Sequence, residues 1–344
     1  MTLSRLDPFR RRTTLALAGL ALPLAALAQT PALQLRIGSV VPKNSLYHQS
    51  LMELGEAWRT AQGGGARYVV FTDGSQGGEA EIARRMRIGQ LQGALMSVVG
   101  LREIEPTAAA MQNLPLLFRS WDELDYVRDK MRPAMEKRFA DKGFVVVAWG
   151  DAGWVRFFSK EAAFRPDDYK RMRFFAWGSE PDQQAIMKSL GYTPVPLETA
   201  DILPAVQTGM INVVPSTPYF ALATQVFGTV SNMLEINWAP IVGALVVTLK
   251  AWDAMTPAAQ QALRAAGEKA GMQMRTQARK EVNEAVDAMK KRGLVVNKPN
   301  ADQMHEWTEL AEKLYPRIRG SMVPADTFDE VFAHLKAYRA LQGK

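Results

Sequence analysis

The strongest constraint in this chain is an alternation of apolar strand-like runs with amphipathic helix-like runs, made twice over. Residues 33–41 (LQLRIGSVV) read as a strand, and Ser45 caps a helix over 46–60 in which Leu51, Leu54 and Trp58 recur at helical spacing. Gly63, Gly64 and Gly65 break it; a strand at 68–71, a helix at 79–88, a strand at 93–99 and a charged helix at 122–140 follow. The run 144–149 shows no polar alternation, as expected of a strand covered on both faces. After Gly150 the pattern changes: the strand-like runs 145–149 and 154–159 lie nearly back to back. A second series then begins, with strands at 172–177, 193–196 and 211–214 and helices at 180–190 and 200–208. Successive βα units require mainly parallel sheets flanked by helices. The fold class is therefore α/β, with two lobes joined by strands.

The C-terminal part reads differently. Residues 256–291 are rich in Ala, Gln, Glu, Lys and Arg, with no proline after Pro257. At 1.5 Å per residue such a helix spans roughly 50 Å, longer than one small lobe, so it is placed across both. The alternative is two helices broken at Gly267 or Gly271. A last helix covers 301–313. At the other end, Arg5, Arg10, Arg11 and Arg12 precede an apolar run from Leu15 to Leu27, and Ala26-Leu27-Ala28 is a small-x-small cleavage signal before Gln29. That layout is a secretory signal peptide over 1–28, and the run is too short for a membrane anchor. The arginine cluster leaves both general and twin-arginine export open. The chain beyond residue 28 carries about +4, against +7 for the whole, with both signs interspersed, so no nucleic-acid footprint is indicated. With no cysteine, disulfides, thiolate metal sites and a cysteine nucleophile are excluded.

Catalysis finds little footing. Asp73-Gly74-Ser75-Gln76-Gly77 only approximates a nucleophile elbow, and His48, His305 and His334 are the only histidines. No phosphate loop and no metal-ligand spacing is present, so no cofactor and no metal is expected. Binding chemistry is better represented. Arg173 sits among Met172, Phe174 and Phe175, and a guanidinium in an apolar strand needs a partner. An organic carboxylate fits its planar fork; an internal Asp or Glu, or a position at the strand end in water, are the alternatives. Trp154, Trp177, Trp238, Phe157 and Phe158 fall near predicted strand ends, where they would wall an apolar pocket.

The stretch 165–174 (RPDDYKRMRF) resembles the segment (K/R)-P-x-D-(L/Y)-K-G-x-(K/R)-(I/M/L)-R-(V/F) of the TRAP-transporter solute-binding proteins, the DctP-like family. Residues 190–197 (LGYTPVPL) are similar to that family's LGATPVPL, and 201–212 (DILPAVQTGMIN) to its ELYTALQTGVVD. Gly77-Gly78-Glu79 with 84–91 (RRMRIGQL) resembles its GGERE…EQLRLGSLD unit, and 114–118 (LPLLF) its LPFLF. The resemblance runs in order through 33–344. It implies a periplasmic receptor, not an enzyme, whose two lobes of periplasmic-binding-protein type close on a small organic acid and deliver it to an integral-membrane TRAP permease. It also implies that Arg173 is the carboxylate-clamping arginine.

Several positions depart from the pattern. A second family arginine falls on Val155, with Arg156 one residue later. The D-x-Q-E-N-P turn becomes 212–218 (NVVPSTP), where Ser216 or Thr217 replaces asparagine. A strand end that carries charge in sialic-acid binders is Ser97-Val98-Val99-Gly100. These departures point to a monocarboxylate with an apolar or aromatic body. The expected ligand-binding set is Arg173, Trp177, Ser97, Trp154, Arg156, Ser216, Thr217 and Glu79. The expected lobes are 29–152 with about 238–270, and 153–237 with about 271–344. A sensor for a membrane signalling protein, and a secreted hydrolase using Ser75 and His48, are the competing readings.

Overall fold

The structure, a computed structural model, describes residues 33–343; the leader and cleavage point read at 1–28 lie outside the described residues. In chain order, β1 (Gln34–Ser39), α1 (Leu46–Gln62), β2 (Arg67–Phe71), α2 (Glu79–Arg87), β3 (Gly93–Ser97), α3 (Val98–Ile104) and α4 (Trp121–Asp141) lead to the long strand β4 (Phe144–Trp154). Then come β5 (Arg156–Ser159), β6 (Arg173–Trp177), α5 (Pro181–Ser189), β7 (Thr193–Leu197), α6 (Ile202–Gln207), β8 (Val213–Ser216), α7 (Pro218–Ala223) and β9 (Asn232–Leu234). The chain returns through β10 (Pro240–Thr248) and finishes with α8 (Leu249–Asp253), α9 (Pro257–Lys290), β11 (Val295–Asn297), α10 (Ala301–Ile318) and α11 (Ala325–Leu341).

These strands form two sheets, ordered β2-β1-β3-β10-β4 and β11-β9-β5-β8-β6-β7. The α/β reading with two strand-linked units holds. β1 pairs in parallel with β2 and β3, and β10 runs antiparallel between β3 and β4. Apolar clusters cover both faces of each sheet, which is why β4 is buried along its whole length.

Local chemistry fixes the element ends. Ser45 accepts from the His48 amide and starts α1. Ser97 does the same for Val99 and starts α3, which splits the apolar run read as a single strand at 93–99. The two back-to-back runs are also divided otherwise than expected. Trp154 closes β4, and the chain changes sheets at Val155, whose backbone pairs with Trp238 and Ala239 (3.0 and 2.8 Å).

α9 is one unbroken helix of 34 residues, so Gly267 and Gly271 do not break it. They let it press onto β4: a Cβ at Gly267 would lie 2.7 Å from the Val147 oxygen, and one at Gly271 2.5 Å from the Trp149 oxygen. Where helix and strand touch, Asp151 of β4 accepts from Arg128 of α4 (2.6 Å) and Arg279 of α9 (2.8 Å), and Arg279 forks onto Asp125 (2.7 and 2.8 Å). Past α10, α11 had no counterpart in the sequence reading. It packs on α4 in the first unit, with Arg339 forked on Glu123, so the end of the chain does not sit wholly with the second lobe as expected.

Candidate functional site

An apolar cavity lies between the second sheet, α5, α10 and the segment 112–115 of the first unit, and has a volume of about 190 Å³. The second sheet presents Phe157, Phe175, Trp177 and Pro215 to it, and Val155 joins them from the link between the sheets; α10 adds Trp307, Leu310 and Leu314. Gln112, Asn113 and Ile241 close it from the first unit. Aromatic packing holds these walls rigid. Phe175 and Trp177 meet edge to face at 4.7 Å, and Trp307 stands 5.4 Å from Phe157 and 5.6 Å from Trp238. α10 is fastened here because the Trp307 indole donates to the Phe164 carbonyl at 2.8 Å.

The cavity's polar groups are few. Gln112 accepts from the Val242 amide at 3.2 Å, and the Tyr192 hydroxyl donates to the Pro166 carbonyl at 3.3 Å. The Asn113 side-chain nitrogen is buried with no hydrogen-bond partner. None of the lining side chains is charged.

Of the eight residues singled out in the sequence, Trp177 alone lines this cavity. Arg173 does not clamp anything in it. β8 pairs Ser216 with Arg156 at one edge of the sheet and Val213 with Ser159 and Phe174 at the other. Arg173 stands at the second edge, four residues (about 13 Å along a strand) from Trp177 at the first. Its guanidinium is exposed and donates to the carbonyls of Met210 (3.0 Å) and Gly209 (2.5 Å), tying the turn before β8 to β6. The alternative of a strand end in water is the correct one. Set with its K on Lys170, the family pattern places its (K/R) on Arg173 and its later arginine on Phe175. Phe175 and Val155, the two positions where that pattern carries arginine, both line the cavity.

The other named residues serve the framework. Glu79 is buried and accepts from the Ser97 amide (2.8 Å), the Ser97 hydroxyl (2.7 Å) and the Gly100 amide (2.9 Å). Burial pushes its carboxyl above the ordinary carboxylate range, and those three donors offset the shift only in part. Ser97 and Glu79 are thus committed to the start of α3. Trp154 packs on Trp121 at 4.6 Å inside the first unit's core. Thr217 caps α7, accepting from the Phe220 amide at 3.4 Å, and Ser216 ends β8 beside it, half-buried. Arg156 points away from the cavity, into a separate polar recess where Glu235 lies at 3.6 Å; burial lowers its pKa. Ser75 is exposed in a turn, and His48 accepts from the Asn44 amide at 3.1 Å, so the two do not form a nucleophile–base pair.

The two units meet through charged and apolar contacts. Arg102 of α3 lies 3.1 Å from Glu180, the residue just before α5, and Glu180 is 1% exposed. Burial raises the Glu180 carboxyl, and the Arg102 charge restores only part of the difference.

Comparison with known proteins places this arrangement. The curated relatives include the 2,3-diketo-L-gulonate-binding periplasmic protein YiaO of Escherichia coli, 22% identical over 83% of this chain and 87% of that protein. They also include the uncharacterised YiiZ of Salmonella typhimurium, 27% identical over 62% of this chain and 65% of that protein's length. Among solved structures, the fold is shared with the Bordetella pertussis extracytoplasmic receptor DctP7 bound to pyroglutamic acid (TM-score 0.80, 19% identity, 89% of this chain and 100% of that one). It is shared equally with a TRAP periplasmic solute-binding protein of Ralstonia eutropha bound to (S)-2-acetolactate (TM-score 0.81, 18% identity, 88% and 99%). The DctP profile, bacterial extracellular solute-binding protein family 7, matches residues 37–320, and the chain belongs to that family.

Proposed function

We propose that the chain is the periplasmic receptor of a TRAP-type secondary transporter: exported by its N-terminal leader, it captures a small organic acid with an apolar or aromatic body and presents it to the membrane permease. The observation that carries this reading is the cavity between the two units, walled by Phe157, Phe175, Trp177, Trp238 and Trp307. Related receptors bind 2,3-diketo-L-gulonate, pyroglutamic acid and acetolactate, which supports the organic-acid class. The walls here favour a solute that is more apolar than a sugar acid.

The mechanism is closure. Lobe one comprises residues from 33 to 152 with β10, α8 and the start of α9; lobe two comprises 153–237, the rest of α9, β11 and α10. α9 lies along β4, where the sheets exchange the chain, and serves as the strut about which they move. Solute seated between them contacts both lobes and shifts the population to the closed state. Arg102–Glu180 belongs to that state.

A thermal-shift screen of the protein against organic acids tests the proposal, because a ligand that binds only the folded chain raises its melting temperature. Acids with aromatic or branched apolar bodies are expected to raise it most. Dominance by uronates or dicarboxylates would overturn the assignment of the cavity, and chemical conversion of the bound compound would overturn the receptor.

A further inference from the structure

The cavity combines tight apolar walls with a complete lack of charge, and this restricts which part of a solute it accepts. We infer that it receives only the uncharged portion, so that recognition there carries no ionic contribution and the neutral amide of an aromatic acid binds at least as well as the acid. The inference rests on the receptor reading and sharpens its solute class.

Five arginines of the lobe junction and the second sheet face groups other than the cavity. Arg156, next to Val155, turns to Glu235 at 3.6 Å. Arg102 faces Glu180 at 3.1 Å, Arg173 is spent on two backbone carbonyls, and Arg128 and Arg279 share Asp151. A carboxylate carried into a space walled by Val155, Phe175, Trp177 and Trp307 would lose its hydration with no counter-charge in return, and ions are not buried that way. What the walls do supply is neutral donors, among them the fully buried and unpartnered Asn113 side-chain nitrogen. A neutral donor of this kind matches a carbonyl, amide or hydroxyl oxygen at the end of an apolar body. The size agrees: engineered apolar cavities of about 150 Å³ take up benzene, and about 190 Å³ admits a ring with a short substituent.

The test is a calorimetric titration of the protein with matched pairs, phenylacetate against phenylacetamide and indole-3-acetate against indole-3-acetamide, at low and high salt. The expected result is amide affinity equal to or above that of the acid, with a ratio that salt does not move. Val155→Arg and, independently, Phe175→Arg should reverse the order by tenfold or more in favour of the acid. Asn113→Leu should weaken the amide about tenfold while the fold, followed by its melting temperature, is retained. A wild-type preference for the acid of tenfold or more overturns the inference and leaves the receptor reading standing. Failure of all four compounds to bind, while another organic acid does bind, overturns the cavity as the solute's seat and the inference with it. Failure of every organic acid tried removes the receptor reading itself.

Discussion

Two regions between the sheets bury polar chemistry, and they do so in opposite ways. Where α9 crosses β4, two carboxylates and two guanidiniums pair with one another: the Asp151 side chain is fully buried and takes one hydrogen bond from Arg128 and another from Arg279. A few strands away, the cavity has no charge on its walls and a buried amide nitrogen, that of Asn113, without a partner. The contrast teaches where this chain keeps its ions. It closes them internally at the strut, where they fix how helix and strand meet, and leaves the solute space neutral.

The sharpest way to break that contrast is Asp151→Ala, which removes the buried counter-charge of Arg128 and Arg279 and leaves them only Asp125. Removing one partner of a buried pair costs about 3–5 kcal/mol, and the loss should appear as a lower urea midpoint. A near-neutral result would mean that water fills the network and the strut is not fixed by charge. The network also sets a pH response. Burial raises the Asp125 carboxyl, but hydrogen bonds from Arg279 and the charges of Arg128 and Arg279 outweigh it and hold it below its ordinary value. A carboxylate depressed in this way stabilises the fold at pH values above its unfolded pKa of about 3.9. That contribution fades as the pH falls through the folded value.

Next in size is Gly271→Ala. Alanine favours a helix by up to about 1 kcal/mol over glycine, so helix propensity alone predicts stabilisation. A Cβ there would lie 2.5 Å from the Trp149 backbone oxygen, which cannot swing aside. Overpacking of this kind costs about 1–3 kcal/mol, so net destabilisation is expected in the same denaturation assay. A gain in stability would show that α9 rides loosely on β4.

Both variants bear on what the sequence could disclose. Period and caps carried most elements: Ser45 announced α1, and the proline-free composition announced α9. Elements that depend on tertiary partners were hidden. α3 follows an apolar run that looked like more strand, and α11 begins at Pro324 without a side-chain cap bond. At the site, local pattern identified β6 as a strand, yet it carries no information about which end faces the other unit. That end is set by the order β5-β8-β6, a long-range fact. The cavity itself is assembled from Asn113, Trp177, Trp238 and Trp307, distant in sequence, and no spacing rule joins them.

A smaller effect, on the order of 1 kcal/mol, should follow from Glu180→Gln at the junction. Glu180 has its carboxyl raised by burial, with both oxygens lacking a well-formed hydrogen bond despite Arg102 nearby. A raised carboxyl works against the fold as the pH climbs from about 4.3 through the folded value, the reverse of Asp125. The variant should therefore match wild type near pH 4 and exceed it in melting temperature at pH 7. Equal curves at every pH would place the cost of this burial elsewhere.

The smallest effect is expected at the residue the sequence made most prominent. Arg173→Ala removes two hydrogen bonds to the carbonyls of Met210 and Gly209 from an exposed side chain. Each such bond contributes roughly 0.5–1.5 kcal/mol, and at an exposed site water replaces much of it, so the midpoint should fall by about 1 kcal/mol or less. Solute affinity should not change, because the guanidinium lies at the sheet edge opposite Trp177. Lysine at this position should behave like alanine, since no bidentate partner is lost. A tenfold loss of affinity in Arg173→Ala, with the fold intact, would return the clamp to Arg173 and erase the distinction between an ionic strut and a neutral solute space.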